Sequence, residues 1–143
     1  MNLTRIQEAF VKKIESLDLG LPILTSNALP ASNCNEFIEI VATEAGRVSC
    51  QQNIEKWLGA VDCRITVPVS TGNKKINHFA EKITELFSVL DDRRSYLTTT
   101  DGITLTVTEV RQFPLYISGT GKGFSTCSVN CRICFETFLQ PRR

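Results

Sequence analysis

Cys127, Cys131 and Cys134 stand in the spacing C-x3-C-x2-C, and how they are read decides what kind of protein this is. Thiolates at such intervals hold three irons of a four-iron cluster in radical enzymes, leaving the fourth iron open to S-adenosylmethionine. The surrounding residues set the opposite expectation. From Ser125 to Phe138 the chain alternates, with Cys127, Val129, Cys131, Ile133 and Phe135 on one side. Thr126, Ser128, Asn130, Arg132, Cys134 and Glu136 fall on the other. Period-two alternation is the mark of a half-buried strand. Successive side chains of a strand point to opposite faces, so Cys134 is expected to face away from Cys127 and Cys131. A cluster enzyme also needs a large barrel downstream, and nine residues follow Cys134. The thiols are expected to be packing atoms. A small iron–sulfur radical enzyme using Cys127, Cys131 and Cys134 is the alternative from a different class.

Other chemistry is thin. The single histidine, His78, falls in a helical pattern beside Phe79 with no base partner suggested by spacing. The run Gly119-Thr120-Gly121-Lys122-Gly123 imitates a phosphate loop. A true one needs Gly five residues before Gly-Lys and a hydroxyl after it, where this chain has Tyr116 and Gly123. Asp91 and Asp92 beside Arg93 and Arg94 read as a solvated helix end. Cys34, Cys50 and Cys63 are scattered, so no C-x2-C…C-x2-C zinc pattern can be drawn. No catalytic residue, metal ligand or cofactor is expected.

The elements that must position these residues follow from periodicity. In a chain of 143 residues with 42% hydrophobic and 22% charged positions, one domain with a sound core is expected over residues 1–143. A formal net charge of +1 offers no global attraction to nucleic acid or membrane. The opening lacks the apolar block of a signal peptide, so a cytosolic chain with free thiols is expected. Leu3, Ile6, Phe10, Ile14 and Leu17 make one helical stripe. Ile76, Phe79, Ala80, Ile83, Leu86, Phe87 and Leu90 make a wider one over a helix from Lys74 to Leu90. Strands are expected at Leu21–Leu24, Glu36–Thr43, Trp57–Val69, Tyr96–Thr99, Ile103–Val110, Phe113–Ile117 and Ser125–Phe138. The stretch Glu44 to Gln52 reads either as a long hairpin arm or as a loop. Asp101-Gly102 marks a hairpin. The sum is an α+β fold, a mainly antiparallel sheet with two amphipathic helices packed on one face.

The layout resembles a known family. The opening LTRIQEAFVKKIESLDLGLPI leads to the strand EFIEIVAT and then to a strand ending GAVDCRITVPVSTG. The helix NKKINHFAEKITELF, strands around DGITLTV, and GTGKGFSTCSVNCRICFETF follow. Together these resemble the tail terminator, or tail completion, proteins of long-tailed bacteriophages and prophages. The passage from Val61 to Gly72, an alternating strand ending in Val-Pro and then a small glycine turn, carries most of the likeness.

The resemblance implies a homo-oligomeric ring of six subunits that caps the tail tube and ends its polymerisation. It further implies a head-joining surface, with partners in the major tail tube protein and the head connector. The ring is assembled in the bacterial cytoplasm and resides in the virion, with DNA passing through its lumen and no sequence-specific contact. Neck and head-closure proteins of the same fold are the near alternative. Under this reading the turn-rich loops Ser70, Thr71, Gly72, Asn73 and Gly119, Thr120, Gly121, Lys122, Gly123 are the expected contact residues.

Overall fold

A computed structural model describes residues 2–25, 36–68, 73–88, 95–119 and 125–140. Its elements are α1 (Leu3–Glu15), β1 (Ile23–Thr25), β2 (Phe37–Gln51), β3 (Ile54–Pro68) and α2 (Asn73–Leu86), then β4 (Tyr96–Thr98), β5 (Thr104–Gln112), β6 (Tyr116–Gly119) and β7 (Ser125–Leu139). The seven strands form one sheet ordered β1-β2-β3-β7-β5-β4, with β6 pairing β7 beside β5. Every pairing is antiparallel except β1 with β2.

Both helices lie on one face of this sheet because both carry a single apolar stripe. Ile6, Phe10 and Ile14 of α1 and Ile76, Phe79, Ala80, Ile83 and Phe87 at α2 share one buried cluster with the inward positions of β2, β3, β5 and β7. Phe10 sits at its centre, with ring centroids 5.4 Å from Phe87 and 6.1 Å from Phe135. Asn2 caps α1 by accepting the Thr4 N–H at 2.9 Å, the ordinary service of an Asn at this position. Gly20, at a φ of 76°, turns the chain back towards the sheet.

The stretch Glu44 to Gln52 is a hairpin arm. β2 runs on to Gln51 and meets Ile54 across a two-residue turn. Gln52 and Asn53 both hold positive φ, 51° and 64°, as the tight turn suited to twisted strands requires. The third expected strand of the later half also shifts. β5 and β6 both lie along the same edge of β7, separated by Phe113-Pro114-Leu115. Pro114 has no N–H to give the ladder. Phe113 still donates its N–H to the Asn130 carbonyl at 2.8 Å, so regular pairing resumes only at Tyr116, not at Phe113. The helices end at Glu15 and Leu86, short of the expected Leu17 and Leu90; residues 89 and 90 lie outside the described residues.

Gly59 shows why one strand needs a glycine. A Cβ there would stand 2.3 Å from Phe135 Cζ and 2.5 Å from the Glu44 carbonyl oxygen. The Phe135 ring therefore occupies the place a side chain would take.

Candidate functional site: the cysteine strand and the free sheet edges

β7 splits the three thiols as alternation demands. Cys127 and Cys131 are buried in the helix-covered core, while Cys134, half-buried, lies on the opposite face. Their sulfurs do not converge. Among the described residues no three His, Cys, Asp or Glu side chains gather as metal ligands. Burial pushes the Cys131 thiol up to about 11. Burial first, then the proximity of Cys131, raises Cys63 well above the ordinary range. Both remain neutral at physiological pH, and the neutral thiol is a poor nucleophile.

Cys63 and Cys131 also stand directly opposite each other in the β3–β7 register. Asn130 turns its carbonyl to Phe113 on the other side of β7, so Cys131 must turn its backbone groups to Cys63. That makes a hydrogen-bonded pair, with Cα atoms about 5.5 Å apart. Its β carbons diverge beyond the ~3.8 Å a disulfide prefers. The pair is packing material.

The face without helices is a polar lattice. Arg132 grips Asp62 through two bonds, Nε to Oδ1 at 2.9 Å and Nη2 to Oδ2 at 3.2 Å. Lys56 reaches Glu136 at 3.6 Å, Arg111 holds Glu109, and Thr66 shares a hydrogen bond with Ser128. At one end this lattice gives way to apolar side chains. Ile54, Leu58 and Phe138 are exposed there, with the Lys56 ammonium 5.9 Å from the Phe138 ring centre. On the helix side of the same end, Glu55 accepts from Trp57 Nε1 at 3.0 Å and from Arg47 Nη1 at 3.1 Å. These donors, Trp57 first and then Arg47, hold the Glu55 carboxyl below its usual range.

Two edges of the sheet lack partners among the described residues. β1 covers only Ile38–Ile40 of β2, and beyond the Ala42 N–H, which bonds to Gln7 Oε1 at 3.5 Å, β2 has no strand partner on this side from Thr43 to Gln51. β4 pairs with Thr104–Thr106 of β5 and the Ser95 carbonyl accepts from the Val107 N–H, leaving β5 without a described partner on this side from Glu109 to Gln112.

The expected contact loops are only partly visible. Ser70, Thr71 and Gly72 lie outside the described residues, as do Thr120, Gly121, Lys122 and Gly123. Asn73 opens α2, and Gly119 ends β6 opposite Ser125. His78 is exposed on α2, its ring centroid 6.2 Å from that of Phe79. A groove of about 570 Å³ between α1 and the β4–β5 turn is lined by Gln7, Glu8, Lys12 and several threonines, with no thiol or histidine among the described lining residues. No described helix is long and apolar enough to cross a membrane.

No family model and no curated protein matches the chain. Among solved structures 34 chains match. One of these, a protein known by a serial label without a functional name, is 14% identical with a TM-score of 0.67, and the match covers 99% of each chain. The class defined is therefore one of fold: a single α+β layer pair shared along the whole length.

Proposed function

We propose that this chain is a phage assembly protein that closes into a homo-oligomeric ring of six copies, caps the tail tube and offers a surface to the head connector. The observation that carries the reading is a sheet whose edges, among the described residues, are left open along β2 on one side and β5 on the other. Open edges are templates for pairing with another chain. A contact that joins one edge of a subunit to the other edge of the next is heterologous, and it closes as a ring when the rotation closes. The split of Cys127 and Cys131 from Cys134 supports a building block over a cluster enzyme. The exposed Ile54, Leu58 and Phe138 end supplies an apolar surface for an axial neighbour, the role assigned here to the tail tube. The resemblance of the sequence layout to tail terminators, which runs over nearly the whole chain, supports the end of the tail tube as the station, with a neck or head-closure position as the near alternative.

The test is addition of purified chain to polymerising tail tube protein. Tubes of uniform, limited length, each with a ring at one end under the electron microscope, are expected. Tubes unchanged in length and unoccupied at both ends overturn the proposal.

A further inference from the structure

We infer that the ring is sewn by antiparallel pairing of Ala45–Arg47 on β2 with Val110–Gln112 on β5 of the next copy. The inference rests on the ring reading and gives it a contact.

Both windows are bounded. Register shifts at Ala42/Glu44 and Arg47/Ser49 bracket the first. A shift at Val107/Glu109 and the proline at 114 bracket the second. Each window is three residues long, and bulges of this kind end regular pairing on either side.

The free backbone groups match in number and spacing. Ile54 faces Gln51 across a two-residue turn, a position that exchanges both hydrogen bonds. β3 runs unbroken past both shifts, so Lys56, Leu58 and Ala60 bond to β2 as well. Ala45 and Arg47, opposite Gly59 and Trp57, therefore turn N–H and C=O outwards. The Ala42 N–H, opposite Val61, obeys the same parity and is met from outside the sheet by Gln7 Oε1 at 3.5 Å. On β5 the Val107 N–H points outwards and bonds to the Ser95 carbonyl at 2.9 Å. Val110 and Gln112 share its parity opposite Ile133 and Cys131. Each window thus presents two outward residues two positions apart.

Direction and charge fit too. Three antiparallel steps separate β2 from β5, so the two run oppositely. A rotation about an axis along the strands keeps that sense, and β2 meets β5 of the next copy antiparallel. Ala45 then exchanges bonds with Gln112, and Arg47 with Val110. Gly46 faces Arg111, and nothing lies within 4 Å of where its Cβ would be. The Arg111 guanidinium, on the helix-free face and exposed, has room to lie across the glycine. It reaches Glu44 diagonally, within the range of long side chains. Recognition of this kind takes affinity from main-chain bonds and register from alternate side chains.

Charge reversal and cross-linking of the full chain test the contact. Arg111→Glu and Glu44→Arg are each expected to weaken assembly by roughly tenfold per interface, seen as a higher concentration for ring formation. The double variant is expected to recover it. A chain carrying both Gly46→Cys and Arg111→Cys is expected to give a disulfide-linked ladder of copies on oxidation with a copper–phenanthroline oxidant, and each single variant no ladder beyond that of the parent chain. If the parent forms rings while neither reversal shifts assembly and no new ladder appears, this contact is wrong and the ring stands. If the parent is monomeric at every concentration, both fall.

Discussion

The glycine at position 59 is there because the Phe135 ring already fills the space above it. Replacing it with alanine forces either that ring or the Glu44 carbonyl to move, since the new methyl would sit within 2.5 Å of both. Overpacking of this sort costs about 1–3 kcal/mol. Gly59→Ala is therefore expected to lower the urea midpoint with an unchanged slope. Glu55 gives a residue-scale prediction of a different kind. Trp57 and Arg47 depress its folded pKa below the ordinary 4.5, so the charged form is the stabilising one. Its contribution is fully present above that ordinary value and is lost as pH falls through the lowered folded value. Glu55→Gln is expected to flatten the fall of the melting temperature between neutral pH and pH ~3. A steeper fall than in the parent would contradict the assigned bonds.

Among the elements, α1, α2 and β7 were legible from the chain because each carries an unbroken period. Ile6, Phe10 and Ile14 recur at helical spacing, and Cys127 to Phe135 alternate without a break. β2 beyond Thr43 was not. Two register shifts reset its alternation, and its outer half faces solvent on an uncovered edge, so burial imposes no pattern there. The turn that follows is equally quiet, because Gln52-Asn53 lacks the glycine that usually announces such a hairpin. Gln52 holds a φ of 51°, a conformation that costs a residue with a Cβ about 1 kcal/mol. Gln52→Asn with Asn53→Gly is expected to stabilise the fold by about that amount, measured by chemical denaturation. Loss of stability would mean that the arm takes a different turn. The free windows themselves were invisible in one dimension, since an edge exists only once the order of strands is known.

At the scale of the whole molecule, the described residues make one covered face, one charged face and two open edges. The covered face holds the stability and takes in Cys63, Cys127 and Cys131. The charged face, with Asp62–Arg132 and Lys56–Glu136 across neighbouring strands, presents both signs of charge close together. In the proposed ring such a surface would suit a lumen through which phosphates slide, because a one-signed basic lining would hold them. Among the described residues the sheet edges and the apolar end stay accessible, and the proposed ring uses both. Light scattering on the parent chain across a concentration series tests this most directly. The account predicts a mass that climbs from 16.0 kDa to one fixed multiple, six copies, and then stays there, with rings in the microscope at the plateau. A mass of one chain at every concentration, or growth without a plateau, would contradict it.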